Sequence, residues 1–215
     1  EYLDKKVKDE NELKMIVKGY PVLGRIPHFE INQESGELPV LKDPVSPISE
    51  SYKLLATNIS FSTTKEPNTI CFSSAGPSEG KTIPASNVAI FYAQNGKKTL
   101  LMDGDLRKPR VDKIMRIKNK NLGLVNYLMR RVPLEKILFK PVESLPNFDV
   151  LPAGVLPPNP TSLLTSNEFL ELLQTLKEHY EKIIIDLPPI MVAPDAQIVS
   201  RYSDGLILVT RYNGT

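Results

Sequence analysis

Cysteine, histidine and long apolar runs are scarce in this sequence, and each scarcity argues against a class of protein. Cys71 is the single cysteine, so the chain cannot form an internal disulfide and suits a reducing compartment. With only two histidines beside it, a structural zinc site is not expected. No stretch approaches the roughly 20 apolar residues of a membrane-spanning helix, and no signal-peptide pattern is present.

An excess of charge of either sign is also missing. Lys and Arg together number 27 and Asp and Glu 25, which gives a net charge of +2. A dedicated nucleic-acid-binding domain usually shows a strong basic excess, so that class is not expected, whereas a nucleotide needs only a few well-placed groups. With 41% hydrophobic residues over 215 positions, the chain can form one packed domain. It begins with Glu1 rather than Met, and we expect it to derive from a longer protein.

Strand and helix patterns alternate from residue 69 onward. The apolar runs predict strands at Thr69–Ser74, Lys98–Asp103, Phe148–Leu151, Glu181–Asp186 and Leu206–Val209. In the second run, Leu100–Met102 is unbroken by polar residues, which is typical of strands covered on both faces. The pattern predicts a doubly wound α/β domain with a mostly parallel sheet.

Helix signals lie before and between these strands. A helix is predicted to begin near Ser46, with Pro47 in its first turn and Ile48, Tyr52, Leu55 and Ile59 on its buried face, whereas Glu50, Lys53 and Ala56 lie on another face. A second helix is predicted to end at Asn95-Gly96. A third is predicted to begin at Thr165 as the cap residue, with Glu168 completing a capping box.

The segment from Ala75 to Thr82 is the strongest functional signal. It reads Ala-Gly-Pro-Ser-Glu-Gly-Lys-Thr, a P-loop pattern with Ala in the first position, and it lies between a predicted strand and a predicted helix. Gly76 and Gly80 allow the backbone to approach phosphate oxygens closely. Lys81 offers a charge to the β- and γ-phosphates, and the Thr82 hydroxyl offers an oxygen ligand to Mg²⁺. We therefore expect a nucleoside triphosphate and Mg²⁺ to bind here.

Two aspartates end apolar strands. Asp103 and Asp186 are expected at the carboxyl edge of the sheet, beside the P-loop, where they would hold Mg²⁺ directly or through water. Asp105 follows two residues after Asp103, so one acid could accept a proton from an incoming hydroxyl while the other orients the site. Arg107 could steady phosphate charge or the turn itself.

Three segments in this order resemble one family. Residues 75–82, 100–109 and 183–189 look like the Walker A, A′ and B motifs of the bacterial tyrosine kinases of capsule and exopolysaccharide synthesis, which have a MinD-like P-loop fold. Shorter matches support the resemblance, among them Leu151–Gly154, Pro157–Pro160 and Pro194–Ala196. The resemblance covers nearly the whole chain and implies an ATP-dependent, autophosphorylating protein-tyrosine kinase that requires Mg²⁺.

The resemblance also assigns roles by position. Asp103 would be the base for a tyrosine hydroxyl, Asp105 would orient the site, and Thr82, Asp103 and Asp186 would surround the metal. Lys81, Asp103, Asp105, Asp186 and Arg107 are thus the catalytic candidates. The nucleotide would contact Gly76, Pro77, Ser78, Glu79, Gly80, Lys81, Thr82, Ile83 and Arg211.

The N-terminal part extends the resemblance to a membrane system. Residues 1–44, with Glu1–Asp4 and Gly19–Pro27, are similar to the juxtamembrane stretch of a polysaccharide co-polymerase, and residues 45–215 would form the kinase domain. Gly19–Pro27 is interpreted as an edge strand or an extended arm. The implied partners are a membrane co-polymerase or activator domain, fused or separate, and a tyrosine-rich tail of this subunit or a neighbour. The implied place is the cytoplasmic face of the bacterial inner membrane.

Four departures from the family pattern leave alternatives open. Ile83 stands where a hydroxyl residue is usual, and Pro84 lies early in the P-loop helix. Lys53 and Ala56 replace the arginines of a ring-forming Glu-x-x-Arg-x-x-Arg motif, so self-association as a ring is doubtful. The eight tyrosines are scattered and form no tail cluster. A MinD/ParA-like ATPase switch and a catalytically weak nucleotide-binding scaffold are the alternatives.

Overall fold

The sheet is parallel, as the sequence predicts. The structure is a computed structural model and describes residues 13–15, 17–29 and 37–212. Its five-stranded sheet has the order β3-β2-β4-β1-β5. The strands are β1 (Thr69–Ser74), β2 (Thr99–Asp103), β3 (Phe148–Leu151), β4 (Lys182–Asp186) and β5 (Gly205–Val209). In this order β1, β2 and β4 lie in the interior, so the ends of these three strands are close neighbours at the carboxyl edge.

Helices connect the strands and cover both faces of the sheet. From residue 37 onward they are α1 (Pro39–Lys42), α2 (Pro47–Ser60), α3 (Thr82–Gln94), α4 (Val111–Ile114), α5 (Leu124–Leu128), α6 (Pro160–Leu164), α7 (Asn167–His179) and α8 (Asp195–Ser200), with a 3₁₀ turn at Leu134–Lys136. In the part of the chain that the structure describes, no helix has the length and apolar character needed to cross a bilayer.

Successive strand residues point into two different hydrophobic cores. Ile70 and Phe72 of β1 pack with α2 and α3 on one face, whereas Cys71 between them packs with α7 and α8 on the other. This alternation has the period of two that an extended strand imposes. Because both faces are buried, the unbroken apolar runs are explained and the doubly wound fold is confirmed. Cys71 is a fully buried core residue.

Two helix predictions are confirmed at their ends. Ser46 caps α2, where its hydroxyl accepts a hydrogen bond from the Ser49 N–H at 3.3 Å. At the end of α3, Gly96 has φ +81°, and its N–H donates to the Ala93 carbonyl at 3.0 Å. Such a left-handed residue closes a helix at little cost when it is glycine.

Two local predictions were wrong. Ser166, not Thr165, caps α7: the Ser166 hydroxyl accepts from the Phe169 N–H at 3.3 Å, whereas the Thr165 hydroxyl donates back to the Thr161 carbonyl at 3.0 Å. Ala56, which helical spacing placed on a different face of α2 from the buried residues, is itself part of the core. It is fully buried, and its carbonyl accepts a hydrogen bond from the Tyr92 hydroxyl at 2.9 Å.

Residues 21–29 form an extended arm outside the sheet and not an edge strand. The arm is held at the Leu23 carbonyl, which accepts a hydrogen bond from the Asn58 side chain at 2.7 Å. Leu23, Ile26 and Phe29 pack against the core beneath α2 and α3. The predicted similarity of Glu1–Asp4 to a juxtamembrane stretch lies outside the described residues.

The segment Glu37–Lys42 docks on the P-loop helix. Val40 is fully buried, its N–H donates to Asn87 Oδ1 at 3.2 Å, and its carbonyl accepts from Gln94 Nε2 at 3.1 Å. Asn87 Nδ2 also donates to the Glu37 carbonyl at 3.0 Å. The two amide side chains of α3 thus satisfy backbone groups of this segment, as a neighbouring strand would.

Candidate active site

The P-loop lies between the end of β1 and the start of α3, as predicted. Ser78 has φ +65° and Gly80 φ +84°, so the chain turns through the left-handed region twice within three residues. Glu79 Oε1 accepts the Gly76 N–H at 2.9 Å and ties the loop across its base. Successive N–H groups at such a turn, next to a helix N-terminus, form a concave site for anionic oxygens.

Lys81 and Thr82 contact acids from two other strands. Lys81 Nζ lies 2.9 Å from Asp105 Oδ2 and 3.4 Å from each carboxylate oxygen of Asp186. The Thr82 hydroxyl donates to Asp186 Oδ2 at 2.6 Å. The P-loop, the residue that ends β4 and the loop after β2 therefore meet at one place, as the predicted positions of these strands at the carboxyl edge require.

Both carboxylate oxygens of Asp103 accept hydrogen bonds from backbone N–H groups of the loop that follows it. We call residues 103–107 the acidic turn. Asp103 Oδ1 accepts the Asp105 N–H at 3.1 Å, and Oδ2 accepts those of Arg110 and Val111 at 3.0 and 2.9 Å. Asp105 Oδ1 in turn accepts the Lys108 N–H at 3.0 Å. Both acids therefore shape the loop as well as face the site.

Gly104 allows this turn to pass close to the strand beside it. Its N–H donates to the Asp186 carbonyl at 2.8 Å, and a Cβ at this position would lie 2.8 Å from the Leu187 side chain. A larger residue would force the Leu187 side chain to move and would lie 3.1 Å from the Asp186 carbonyl. The glycine thus brings Asp103 and Asp105 next to Asp186.

Burial dominates the electrostatics of the site. It raises the pKa of Asp103 well above its usual value, and the charge of Asp186 adds to this rise. Burial also raises the pKa of Asp186 to about 6, against the opposing effects of Lys81 and Thr82. Burial lowers the pKa of Lys81, but Asp186 and Asp105 outweigh it and the net shift is upward. A charged lysine beside carboxylates of raised basicity is a common arrangement in functional sites.

The guanidinium of Arg107 makes its hydrogen bonds outside this lysine-centred cluster, although the Arg107 N–H donates to Asp105 Oδ1 at 3.3 Å. Its guanidinium contacts Asp195 at the start of α8 and the Thr161 hydroxyl of α6. Arg211 lies exposed two residues beyond β5. The structure thus brings together Lys81, Thr82, Asp103, Asp105 and Asp186, and it places Arg107 at the rim on partners of its own.

The residues that follow the P-loop fit into α3 without distortion. Pro84 is the third residue of the helix, in the first turn, where backbone N–H groups have no partner within the helix. A proline is therefore tolerated there. Ile83 is half-buried and packs against the core. Neither departure from the family pattern disturbs the backbone of the P-loop.

A direct cage of protein ligands for a metal is not formed. Across residues 13–15, 17–29 and 37–212, no group of three or more His, Cys, Asp or Glu side chains lies close enough together to hold a metal ion. Mg²⁺, however, keeps several waters and binds through one or two protein oxygens plus phosphates. The Thr82 hydroxyl with the Asp186 carboxylate fits that mode, because both are hard oxygen groups at the head of the phosphate cradle.

Sequence reasoning assigned no role to two buried polar residues that hold neighbouring segments in place. Asn87 holds the Glu37–Lys42 segment, and Asp195 holds Arg107. In the sequence, Asn87 is a polar residue inside an apolar helix, which is a usable sign of a buried hydrogen-bonding role. Asp195 at the start of a helix has the sequence pattern of an ordinary helix-end residue, so its partner could not be identified.

Comparison with known proteins agrees with this geometry. A family model described as AAA domain matches residues 68–211. The tyrosine-protein kinase YwqD of Bacillus subtilis is 39% identical over 170 residues, which are 79% of this chain and 70% of that protein. The putative tyrosine-protein kinase CapB of Staphylococcus aureus is 37% identical over 77% of this chain and 72% of its own length.

Solved structures show the same relationship. The chimerical protein CapA2B2 superposes with a TM-score of 0.85 at 36% identity, over 93% of this chain and 84% of that one. MinD of Pyrococcus horikoshii has a TM-score of 0.56 at 24% identity, over 66% of this chain and 57% of that one, which is a likeness of fold. The chain therefore belongs to the bacterial tyrosine-protein kinase family, on the P-loop fold that it shares with MinD.

Proposed function

We propose that this domain transfers the γ-phosphoryl group of ATP to protein tyrosines with the residues that converge on Lys81. The supporting observation is the contact of Lys81 Nζ with Asp105 at 2.9 Å and Asp186 at 3.4 Å, next to the Thr82 hydroxyl on Asp186 at 2.6 Å. These groups come from the three motifs of the family. Phosphoryl transfer requires positioning and charge neutralisation more than covalent chemistry, and this cluster supplies both.

The nucleotide would bind through the P-loop. Mg·ATP supplies the transferable phosphoryl group and a cation that neutralises its developing charge. The backbone from Gly76 to Ile83 would cradle the phosphates, and Lys81 would leave its carboxylate partners for the β- and γ-phosphates. Thr82 and Asp186 would then face the cation, either directly or through water. Arg211, two residues beyond β5, would also contact the nucleotide.

Asp103 would accept the proton of the attacking tyrosine hydroxyl. Its burial raises the pKa of the carboxyl, which brings its basicity closer to that required of a base at neutral pH. Its three backbone hydrogen bonds fix its orientation. Asp105, held by the Lys108 N–H, would orient the incoming hydroxyl.

The names of the relatives support a proposal for the biological setting. One is named a putative tyrosine-protein kinase in the cps region of Klebsiella pneumoniae, and a solved structure with 36% identity is that of the chimerical protein CapA2B2. We therefore place the domain in capsule or exopolysaccharide synthesis, at the cytoplasmic face of the bacterial inner membrane. A membrane co-polymerase would be its activator, and a tyrosine-rich tail of the same or a neighbouring subunit its substrate.

A robust ring is not expected of this chain. Lys53 forms an ion pair with Glu50 on its own helix at 2.8 Å, and Ala56 is buried in the core. Neither side chain can supply the arginine contacts of the ring motif. We expect a monomer or a weak assembly, and light scattering that showed a stable octamer without nucleotide would contradict this.

Labelled ATP and a tyrosine-rich peptide test the function. Phosphotyrosine is expected. Free phosphate alone would instead indicate an ATPase switch, and bound but unchanged nucleotide would indicate a scaffold. Lys81→Met should weaken ATP binding by about 100-fold, since a charged hydrogen-bond partner contributes roughly 1.5–3 kcal/mol.

Asp103→Asn should bind ATP but transfer no phosphoryl group. Glu168→Gln, which weakens the ion pair with the exposed Arg130 outside the proposed site, is the control for both variants and should transfer phosphoryl groups as the wild type does. Wild-type transfer by both Lys81→Met and Asp103→Asn would refute the site assignment.

A further inference from the structure

Asp195 is a buried charge that the proposed reaction does not use. It is 0% exposed at the first position of α8. Its Oδ2 accepts from Arg107 Nε at 2.8 Å, and its Oδ1 accepts from Arg107 Nη2 at 3.3 Å. A two-point contact with a guanidinium fixes direction as well as charge. A buried carboxylate is costly without such a partner, so Arg107 is held tightly in this position.

Thr161 closes the arrangement into a triangle. Its hydroxyl donates to Asp195 Oδ1 at 2.6 Å and lies 3.0 Å from Arg107 Nη2. Arg107 follows β2, Thr161 follows β3 and Asp195 follows β4. The triangle therefore joins the segments that follow three different strands of the sheet.

The acidic turn ends at Arg107, and Arg107 is also one of the three residues of the triangle. The triangle therefore fixes one end of the turn. The Arg107 N–H donates to Asp105 Oδ1 at 3.3 Å, and the other oxygen of Asp105 contacts Lys81 at 2.9 Å. Hydrogen bonds thus connect Asp195 to Lys81 through two residues, Arg107 and Asp105. A displacement of Arg107 would move the backbone that carries Asp105.

We propose that Asp195 is a positioning residue that sets the acidic turn against Lys81 by anchoring Arg107. It acts through Arg107 and touches no reacting atom. Arg107 is then a structural cation of the turn and does not bind phosphate. The inference rests on the proposed function in one respect, that the acidic turn acts in phosphoryl transfer.

Asp195→Asn tests the inference, because the variant keeps the shape and the oxygen that accepts from Thr161 while it removes the charge. We expect kcat for peptide phosphorylation to fall about tenfold or more, since small misplacements of acting groups cost up to ~100-fold. KM for ATP should stay within about twofold, because the P-loop is untouched. Glu168→Gln removes a different Arg–carboxylate pair, on the exposed Arg130, and should change neither constant.

Hydrogen exchange measured by mass spectrometry gives a second readout that does not depend on activity. Peptides that cover residues 103–111 should exchange faster in Asp195→Asn than in the wild type, whereas Glu168→Gln should match the wild type. If Asp195→Asn does not fold, Thr161→Val should show the same effect to a smaller degree, and Thr161→Ser should restore wild-type behaviour.

Three results would overturn the inference. One is unchanged kcat together with unchanged exchange. Another is faster exchange confined to residues 195–200, which would indicate only a local role in α8. The third is a tenfold rise in KM for ATP with kcat unchanged, which would assign Arg107 to substrate binding. Absence of transfer by the wild type would refute the proposed function instead, and the exchange data alone would then decide the role of Asp195.

Discussion

Asp103 and Asp186 are neighbours in register at the ends of β2 and β4, and they differ in what surrounds them. Asp103 accepts three backbone N–H groups and builds the loop that follows it. Among the residues that the structure describes, the Asp186 carboxylate accepts only from the side chains of Lys81 and Thr82. Two residues with the same sequence context thus divide their work: one carboxylate organises backbone, and the other remains available to a cation and the P-loop.

The largest expected difference between the two acids is in nucleotide affinity. Asp186→Asn should weaken binding of Mg·ATP by about 100-fold, because a hard anionic oxygen beside Thr82 is lost. Asp103→Asn should stay within about threefold, since its oxygens face backbone N–H groups. Isothermal titration calorimetry with Mg·ATP measures both. Equal losses in the two variants would show that the acids share one role.

For the free energy of unfolding, we expect the larger loss in the Asp103 variant, which is the reverse of the order expected for nucleotide affinity. Asp103→Asn places an NH₂ group against a backbone N–H donor, so it should cost about 1–3 kcal/mol of unfolding free energy. Asp186→Asn removes a buried charge whose pKa burial has raised, so the metal-free protein should gain about 1 kcal/mol at pH 8. Thermal unfolding in EDTA measures both changes. A loss of stability in Asp186→Asn as large as that in Asp103→Asn would contradict the comparison.

The pH dependence of stability sharpens the account of Asp186. The carboxyl has a pKa of about 6 in the folded chain against 3.8 as its reference value, so the folded state holds the proton more tightly. Its contribution to stability is therefore present below about pH 4 and is lost as pH rises through about 6. In EDTA, the difference in melting temperature between wild type and Asp186→Asn should grow in favour of the variant over this range. A difference that stays constant with pH would contradict the raised pKa.

The smallest expected effect concerns the ion pair beside Asp103. Arg110 contacts Glu37 at 3.0 Å, but its side chain is 54% exposed. Glu37→Gln should therefore cost less than about 1 kcal/mol, and less still in high salt. The Arg110 backbone N–H to Asp103 does not depend on this pair. Thermal unfolding at two ionic strengths measures the effect, and a cost above 2 kcal/mol would show that the acidic turn depends on Glu37.

Motif spacing was enough to place the strand-end acids and the P-loop together. Each of these residues lies next to a strand, and a parallel sheet brings the ends of its strands to one edge. The partners of each acid could not be predicted in this way. Asp103 and Asp186 have the same sequence context, and only the path of the loop after β2 decides which one accepts backbone N–H groups.

Contacts between segments that are distant in the sequence also could not be predicted. Ala56 was placed on a different face from the core residues because helical spacing identifies only the main apolar face of a helix. The spacing cannot show which other segments of the chain pack against α2. The predicted cap of α7 was wrong by one residue. Thr165 and Ser166 both have a hydroxyl group, and the backbone conformation decides that Ser166 is the cap.

The two amide side chains on α3 have a practical consequence for dissecting this protein. Asn87 and Gln94 each hydrogen-bond to the chain around Val40, a residue with no exposed surface. A fragment cut at Ser46 would leave those amides facing an uncovered apolar groove, although Ser46 begins the first long helix. The shortest piece of the chain that keeps its native shape should therefore start before Glu37, well upstream of the boundary suggested by helix signals alone.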